Sequence, residues 1–254
     1  MLEAAHLTKV YAGIPAVENV SFRIVPGEIL GYLGPNGSGK STTVKMLTGL
    51  LQPTRGEILL DGQPMASDPI SYKLRLGYVP EEPQLYSFLS GREYLQLTGR
   101  LRGLTQPALD RKIDDRLALL GLSTARFSAI ASYSKGMRQK ILLASALLHN
   151  PDLVILDEPF SGLDVSTAQV LKALLKDLAM AGKMILYSSH VLEVVEKVAT
   201  RVIILHKGKI VADGSVDELR TLMTLPSLEQ IFSQLVDQRD SEEVAAGILE
   251  VIRQ

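Results

Sequence analysis

The stretch that decides the fold is Gly34-Pro35-Asn36-Gly37-Ser38-Gly39-Lys40-Ser41-Thr42. It matches the phosphate-binding pattern G-x-x-x-x-G-K-[ST], follows an apolar run at 29–33 and precedes a predicted helix at 41–50. Glycines let backbone N–H groups approach phosphate oxygens, and the helix N-terminus adds partial positive charge. Lys40 is expected to reach the β- and γ-phosphates, and the Ser41 hydroxyl to bind Mg²⁺. The alternative is a glycine-rich turn that only joins a strand to a helix, but such a turn requires neither the lysine nor the hydroxyl.

The composition is that of a globular chain with little net charge. Hydrophobic residues make up 46% of its 254 residues, and 27 basic residues nearly balance 28 acidic ones. No broad positive field therefore points to nucleic acid as a partner. Cysteine is absent, which excludes disulfides and thiol chemistry and leaves oxygen and histidine as metal ligands. Because we find no secretion signal and no run near the about 18 apolar residues of a membrane helix, we expect a soluble chain that reaches a membrane through a partner.

Strand and helix patterns alternate on both sides of the phosphate loop. Half-alternating residues and short apolar runs predict strands at 2–10, 17–25, 29–33, 56–60, 76–79, 153–157, 184–187 and 201–205. The first two are expected to form an antiparallel edge. Capping boxes and helical spacing predict helices at 41–50, 90–101, 109–120, 137–148 and 166–181, after 190, from 215 and from 226. The middle third, after 81, is therefore predicted to be helical and strandless.

Two adjacent acids, Asp157 and Glu158, end the apolar run at 153–157. Such a run is typical of a strand buried on both faces of a parallel sheet, and open parallel sheets present ligand-binding groups at the carboxyl ends of their strands. Asp157 is expected to hold Mg²⁺ through water, while Glu158 points elsewhere and can orient an attacking water. The alternative is a pair of acids that caps the next loop.

Tyr11 and His190 are further site candidates with open alternatives. Tyr11 ends the first predicted strand, where its ring can lie against a nucleotide base or pack half-buried. His190 follows a strand at the same edge of the sheet, where it is either a site residue or a packing residue. The other histidines, at 6, 149 and 206, are interpreted as packing or surface residues.

The order of five motifs resembles the nucleotide-binding subunit of ABC transporters over about residues 2–222. These motifs are the phosphate loop, Tyr133-Ser134-Lys135-Gly136-Met137, the acidic run Leu153-Val154-Ile155-Leu156-Asp157-Glu158-Pro159, Ser161-Gly162-Leu163-Asp164, and Ser189-His190. Many phosphate-loop ATPases share the first and third motifs, but few have the second at that position. The whole set is therefore far more specific than any single member.

The resemblance implies a role for each matching residue. Tyr11 matches the aromatic residue that stacks on adenine, and residues 34–42 match the phosphate loop. His190 matches a switch histidine that hydrogen-bonds the γ-phosphate. The expected catalytic residues are Lys40, Glu158 and His190. Asp157 matches the Mg²⁺-associated acid. Asp164 matches a loop that touches the opposing subunit, and the signature, residues 134–137, is expected to close over ATP bound by that subunit.

Two motifs depart from the family pattern. The usual signature is Leu-Ser-Gly-Gly-Gln, so Lys135 and Met137 replace a glycine and the glutamine, and Lys135 is expected to add positive charge near the phosphates. Glu81 stands where the family most often has glutamine; it can offer oxygen to Mg²⁺ but adds negative charge near the γ-phosphate. Both departures resemble a subgroup of bacterial ATP subunits, many of which pair with exporters.

The expected fold is α/β: a P-loop NTPase (RecA-like) core with a mostly parallel sheet, an antiparallel β edge and an inserted helical subdomain. The expected divisions are a core at 1–81 and 151–222, a helical signature subdomain at 82–150, and a C-terminal helical tail at 223–254.

The resemblance implies an ATPase that binds ATP and Mg²⁺, forms a head-to-tail dimer with an identical or related subunit, and drives a separate membrane-spanning permease, in the direction of export. It would lie in the cytoplasm, on the inner face of the cell membrane, through that permease. Two alternatives remain open: an ABC-type ATPase that acts on the ribosome or DNA, and a nucleotide-sensing adaptor with little turnover. The transported substrate is not predicted, because the residues that select it would lie in the membrane subunit.

Overall fold

The computed structural model describes residues 1–82, 84–160, 163–189, 192–223 and 227–236. Within these ranges the elements run, in order, β1 (Leu2–Tyr11), β2 (Ile14–Ile24), β3 (Ile29–Leu33), α1 (Lys40–Leu47), β4 (Arg55–Leu60), β5 (Gln63–Pro64), α2 (Pro69–Leu74), β6 (Leu76–Val79), α3 (Gly91–Leu101), α4 (Ala108–Leu119), a 3₁₀ turn (Ile130–Ser132), α5 (Lys135–Leu147), β7 (Leu153–Asp157), α6 (Val165–Met180), β8 (Met184–Ser189), α7 (Leu192–Val198), β9 (Arg201–His206), β10 (Lys209–Gly214), α8 (Val216–Met223) and α9 (Leu228–Val236). The predicted α/β class is confirmed.

The main sheet has six strands in the order β10-β9-β3-β8-β7-β6. Five of them are parallel, and β10 pairs antiparallel with β9. All residues of β3, β7 and β8 are buried, as expected for strands covered on both faces. Because the strands are parallel, the carboxyl ends of β3, β6, β7 and β8 meet at one edge of the sheet, and this edge carries the candidate site.

The antiparallel strands form a second sheet, in the order β2-β1-β4-β5. The predicted hairpin of β1 and β2 is therefore present, and β4 extends it. Helix α1 and both sheets share one hydrophobic core, which includes Leu7 of β1, Met46 of α1 and Leu30 of β3. The rings of Phe22 and Tyr32 meet across the sheets with centroids 5.6 Å apart. This packing fixes the β1–β2 hairpin beside the phosphate loop.

Helices cover the other face of the main sheet. Residues of α5 and α6, such as Leu142 and Leu171, pack on Val154 and Ile185. Helices α3, α4 and α5 have a core of their own, built from Leu95, Leu109, Ile113, Leu117, Ile141 and Leu148. In the described residues between β6 and β7 the only strand-like pairing is an isolated bridge, Ser90 to Ala129. The prediction of a helical, strandless middle third agrees with this arrangement.

Several predicted boundaries differ from the structure. Helix α1 ends at Leu47 rather than at 50, because Gly49 adopts a left-handed φ of 68° that terminates the helix. Strand β8 runs through Ser189, two residues beyond the prediction, and α5 begins at Lys135 rather than at 137 because Ser134 caps it. Elements β5, α2 and β10 were not predicted.

The C-terminal part is described as far as residue 236. Ser215 and Glu218 form the predicted capping box, with Ser215 N donating to Glu218 Oε2 at 2.7 Å and Glu218 N donating to Ser215 Oγ at 3.2 Å. Helix α9 packs through Ile231 on the cluster that surrounds α7. The predicted apolar positions 244, 248 and 251 lie outside the described residues. No helix in the described ranges has the length and apolar character needed to cross a membrane.

Candidate functional site

The phosphate loop joins β3 to α1 and requires glycine at two crowded positions. A Cβ on Gly34 would lie 2.4 Å from both the carbonyl oxygen of Leu205 and Ser38 Oγ. A Cβ on Gly39 would lie 2.5 Å from the carbonyl oxygen of Ala16, and its φ of 107° is one that side chains rarely allow. The two glycines therefore let the loop lie directly against the hairpin and β9.

Backbone hydrogen bonds brace the loop from behind. Gly208 N, in the turn between β9 and β10, donates to the carbonyl oxygen of Ser38 at 2.9 Å, and Glu18 N donates to the carbonyl oxygen of Gly208 at 2.9 Å. Sequence reasoning missed this support, because it joins three segments that are distant in the chain. The local signal of the turn in the sequence is Gly208. In the structure, Lys207 before it has a φ of 48°.

Lys40 is buried and faces acids. Its ammonium donates to the carbonyl oxygens of Gly34 at 2.6 Å and Pro35 at 3.2 Å. Burial lowers the pKa of Lys40, while the negative charges of Glu158, Asp157 and, less strongly, Glu81 oppose that change. The structure thus brings together one cation from the loop and three predicted acids, of which Asp157 ends β7 while Glu81 and Glu158 follow β6 and β7.

Asp157 is the last residue of β7 and is only 6% exposed. The hydroxyl of Ser188, its register partner on β8, donates to Asp157 Oδ1. Burial raises the pKa of Asp157, and the bond from Ser188 and the charge of Lys40 act in the opposite direction. The negative charge at this edge also reaches Tyr78 of β6, whose pKa is raised to about 12 by burial first and then by Asp157 and Glu81.

Glu158 leaves the strand in an unusual backbone conformation. Its φ is 46°, in the left-handed region, and its N–H donates to the carbonyl oxygen of Ser188 at 3.1 Å. Its half-buried side chain accepts a hydrogen bond at Oε2 from Ser189 Oγ at 3.2 Å. The turn sends the two neighbouring carboxylates to different partners, as their predicted separate roles require.

The residues of the loop and the strand ends fit a triphosphate with Mg²⁺. Ser38 Oγ is buried and has no hydrogen-bond partner within the described chain, and Ser41, which follows Lys40, is exposed. The described residues contain no group of three or more His, Cys, Asp or Glu side chains that could hold a metal ion by themselves. Mg²⁺ commonly takes one or two protein oxygens together with substrate phosphates and water, so Ser41 and Asp157 suit it better than a closed protein cage would. Glu81 is exposed and offers a further oxygen.

Tyr11 ends β1 with 47% of its surface exposed, which agrees with a half-buried packing role as well as with contact to a base. Lys9 Nζ lies 5.5 Å from the centroid of its ring. Tyr11 pairs with Ile14 across the β1–β2 hairpin. Two residues after Ile14, the carbonyl oxygen of Ala16 lies close to Gly39 of the phosphate loop. The ring therefore belongs to the hairpin that borders the phosphate loop, and its contact with a base stays a prediction.

The signature lies at the N-terminus of α5. Ser134 caps the helix and accepts from Met137 N at 3.2 Å. Ser134 and Lys135 are exposed, and Gly136 and Met137 are half-buried. Tyr133 anchors the signature from the buried side by donating to the carbonyl oxygen of Ala125 at 2.7 Å. The signature is therefore a partly exposed feature at the N-terminus of α5.

One turn into α5, a residue that sequence reasoning missed links the signature helix to the acids. Gln139 is 1% exposed, and its Nε2 donates to the carbonyl oxygen of Pro159, directly after Glu158, at 3.2 Å. No local pattern marks Gln139, because helix α5 also carries Lys135, Arg138 and Lys140, and the burial of the glutamine shows only in the folded chain.

Asp164 is exposed and caps α6. It accepts hydrogen bonds from Ser166 Oγ at 2.6 Å and from Thr167 N at 2.9 Å, and these bonds lower its pKa. The predicted switch histidine, His190, lies outside the described residues, as do Ser161 and Gly162. The structure thus describes all the predicted site residues except His190.

Comparisons with known proteins agree on one family. A family model described as ABC transporter matches residues 17–161. The chain is 40% identical over 208 residues to the uncharacterized ABC transporter ATP-binding protein all4389 of Nostoc sp., a match that covers 81% of this chain but only 62% of that relative's length. It is 36% identical over 225 residues to the ABC transporter ATP-binding protein NatA of Bacillus subtilis, covering 88% of this chain and 92% of NatA.

Two solved structures resemble the fold. An ATP-binding subunit of an ABC transporter aligns with a TM-score of 0.88 at 35% identity, over 92% of this chain and 99% of that chain. A dimer of the ATP-binding cassette MJ0796, in a post-hydrolysis state bound to ADP and Pi, aligns with a TM-score of 0.78 at 26% identity, over 85% of this chain and 98% of that chain.

Proposed function

The chain belongs to the ABC transporter family, and from this membership we propose that it closes head to tail with a second ATP-binding subunit and drives a separate membrane-spanning permease in the direction of export. It is an ATP-binding subunit and an ATPase of this family. The observation that carries the proposal is the meeting of Lys40 with the acids at 81, 157 and 158 beside a glycine-lined loop.

Residues 34–42 bind the phosphates of ATP in this proposal. Lys40 donates to the β- and γ-phosphate oxygens in place of the carbonyl oxygens of Gly34 and Pro35, and the backbone N–H groups of the loop and of α1 donate as well. Tyr11 stacks on the adenine base. Ser41 and Asp157, with Glu81 nearby, are the residues that would hold Mg²⁺, which neutralises charge on the phosphates when it is bound.

Hydrolysis is then a matter of orientation and charge. Glu158 accepts a hydrogen bond from the attacking water and orients it, and His190 donates to the γ-phosphate. Lys40 stabilises negative charge that develops on the transferred phosphoryl group. Burial of Lys40 and Asp157 strengthens these interactions, because charges interact more strongly where water is excluded.

A second subunit completes the site. Ser134 and Lys135 are exposed at the N-terminus of α5, a position from which N–H groups and a positive charge can meet the γ-phosphate held by another copy. Gly136 and Met137 continue the same surface, and Asp164 contributes from the N-terminus of α6. The partner is either an identical chain or a close relative, and no role for nucleic acid is proposed.

Two exposed apolar features support a permease-docking surface. A cleft of about 350 Å³ is lined by Leu50, Ile70, Leu74 and Leu101, and the last three are 75%, 43% and 74% exposed. After Glu81, the exposed rings of Tyr86 and Phe88 lie 5.9 Å apart. Exposed apolar patches of this kind mark contact surfaces. The helical subdomain at 82–150 would pass the motion of the dimer to the permease, and this contact would hold the subunit at the inner face of the cell membrane.

The test uses Glu158→Gln with Lys40→Ala as its matched control. Loss of the catalytic carboxylate is expected to slow ATP hydrolysis about a hundredfold or more while ATP binding persists. The Glu158→Gln protein with MgATP should therefore elute as a dimer in size-exclusion chromatography. Lys40→Ala should lose ATP binding and stay a monomer.

Four outcomes would contradict the proposal. If Glu158→Gln turns over ATP at the parental rate, Glu158 is not the catalytic carboxylate. If that variant stays monomeric with MgATP even beside its membrane partner, the head-to-tail dimer is wrong. If the parental chain binds ATP but releases no phosphate with that partner present, it is the nucleotide-sensing adaptor. Co-purification with ribosomal RNA instead of a membrane protein would favour the ribosome-acting alternative.

A further inference from the structure

The last two residues of β8 each contact one of the two acids that follow one another at the end of β7. Ser188 Oγ donates to Asp157 Oδ1, and Ser189 Oγ donates to Glu158 Oε2 at 3.2 Å. Successive residues of a strand point to opposite faces of the sheet, so the two hydroxyls cannot serve the same carboxylate. The parallel register, which pairs Asp157 with Ser188, brings each serine to its own acid.

Both serines are buried, although they are polar residues at the end of a strand. Ser188 is 0% exposed and Ser189 is 2% exposed. Buried hydroxyl groups in proteins usually have a hydrogen-bond partner, and a hydrogen bond to a carboxylate is stronger than one between neutral groups. Each buried hydroxyl therefore has a carboxylate as a partner in place of water.

The backbone of Glu158 is held in one conformation, whereas its side chain is restrained by its own hydrogen bonds. Its φ of 46° is sterically unfavourable for a residue with a Cβ, and the bond from its N–H to the carbonyl oxygen of Ser188 at 3.1 Å holds the chain in that conformation. The backbone is thus fixed, but the long glutamate side chain can still rotate. The bond from Ser189 Oγ to Oε2 restricts that rotation.

We propose that Ser189 is a positioning residue for Glu158, and that Ser188 holds Asp157 in the same way. The inference rests on the proposed function, because it takes Glu158 as the carboxylate that orients water and Asp157 as the acid associated with Mg²⁺. Ser189 acts through Glu158 and contacts neither ATP nor water in this assignment. Its loss therefore slows turnover without weakening ATP binding, whereas loss of Ser188 changes the response to Mg²⁺.

The test is a double-mutant cycle on the full chain, with Ser189→Ala, Glu158→Gln and the double variant. Losing one hydrogen bond to a charged group is expected to lower kcat about tenfold in Ser189→Ala. KM for ATP should stay within about twofold, because binding is unaffected. In the Glu158→Gln background, single-turnover hydrolysis should slow by less than about twofold on adding Ser189→Ala, since the carboxylate is already absent. Ser189→Thr keeps the hydroxyl and should restore kcat to within about threefold of the parental value.

Ser188→Ala is the matched control on the neighbouring hydroxyl. It should raise the Mg²⁺ concentration needed for half-maximal turnover about tenfold, and Ser189→Ala should leave that concentration unchanged. If Ser189→Ala does not fold, as judged by its thermal unfolding, Ser189→Cys keeps the size of the side chain with a weak donor and should still lower kcat severalfold.

Several results would overturn the inference. It is wrong if Ser189→Ala and Ser189→Cys turn over at the parental rate, if Ser189→Thr is as slow as Ser189→Ala, or if Ser189→Ala slows turnover by the same factor with and without Glu158. The assignment of Ser188 to Asp157 and of Ser189 to Glu158 is wrong if Ser188→Ala and Ser189→Ala have the same effect on kcat and on the Mg²⁺ concentration needed for half-maximal turnover. A parental rate for Glu158→Gln itself would instead overturn the proposed function, so the two failures can be told apart.

Discussion

Acidification is expected to destabilise the fold through His149, and His149→Gln is expected to remove that effect. His149 lies between α5 and β7, and its Nε2 is 3.1 Å from the carbonyl oxygen of Leu76. Nε2 must carry the proton in that bond, so Nδ1 is the bare nitrogen of a neutral ring. Nδ1 is buried and has no hydrogen-bond partner within the described chain. A proton added there would introduce a charge without a partner.

The environment of His149 sets the direction and size of the effect. Burial first, and then the positive charges of Arg102, Arg116 and Lys183, lower its pKa from 6.5 to about 4. The unfolded chain therefore binds a proton between these two pH values and the folded chain does not, so stability is full above pH 6.5 and is lost as pH falls toward 4. Since one pH unit corresponds to about 1.4 kcal/mol, His149 accounts for a loss of about 3 kcal/mol of unfolding free energy over this window.

Urea unfolding of both proteins at a series of pH values from 7.5 to 4.0 measures this loss. Carboxylates also titrate in this range, but they do so in both proteins, so the difference between the two unfolding free energies isolates His149. The glutamine side chain of the variant retains an amide donor for the Leu76 carbonyl and does not titrate. The parental protein should lose stability relative to the variant as pH falls below 6.5. A difference that is the same at every pH would refute the reasoning.

Three further predictions concern close contacts. Gly34→Ala would put a Cβ 2.4 Å from a backbone carbonyl, so ATP affinity should fall more than about tenfold in a fluorescence titration with a labelled nucleotide; parental affinity would show that the loop shifts without cost. Gly91→Ala would put a Cβ 2.6 Å from the hydroxyl of Tyr133, and overpacking there should lower the unfolding free energy by about 1–3 kcal/mol in urea; an unchanged midpoint would contradict this. Gln139→Leu leaves the carbonyl oxygen of Pro159 without its donor and should lower the unfolding free energy by about 1–3 kcal/mol in the same assay. Gln139→Glu also lacks the amide donor, so its unfolding free energy should be lowered at least as much.

Local chemistry explains why much of this fold could be predicted. The capping box of Ser90 and Glu93 depends on residues three positions apart, and both of its hydrogen bonds are present. The strands β3, β6 and β7 were predicted with the boundaries that the structure has, because each reads as a short, mostly apolar run. The meeting of Lys40 with Asp157 follows from topology alone, since the carboxyl ends of parallel strands share an edge.

The features that could not be predicted depend on tertiary contacts. Ser188 and Ser189 look like the start of a loop, yet strand pairing with β3 and β7 keeps them in β8. The brace on the phosphate loop depends on Gly208, which is about 170 residues away in the chain from the serine it contacts. Strand β10 is half-exposed and has no buried run that would mark it. In each case the deciding partner is distant in sequence, and no local pattern encodes it.

The register of the sheet joins the stability of the core to the chemistry of the site. Asp157 is the last residue of a fully buried strand, and the same pairing that sets Ile155 beside Leu186 brings Asp157 opposite Ser188. A shift of one residue would move each side chain of β7 to the other face, so it would disrupt the packing of the apolar residues on both faces and also exchange the environments of Asp157 and Glu158. The hydrophobic core therefore penalises any register in which the acids lose their serines. The strand pairing thus fixes where Asp157 and Glu158 lie, and the bonds from Ser188 and Ser189 need only restrain the rotation of the two carboxylates.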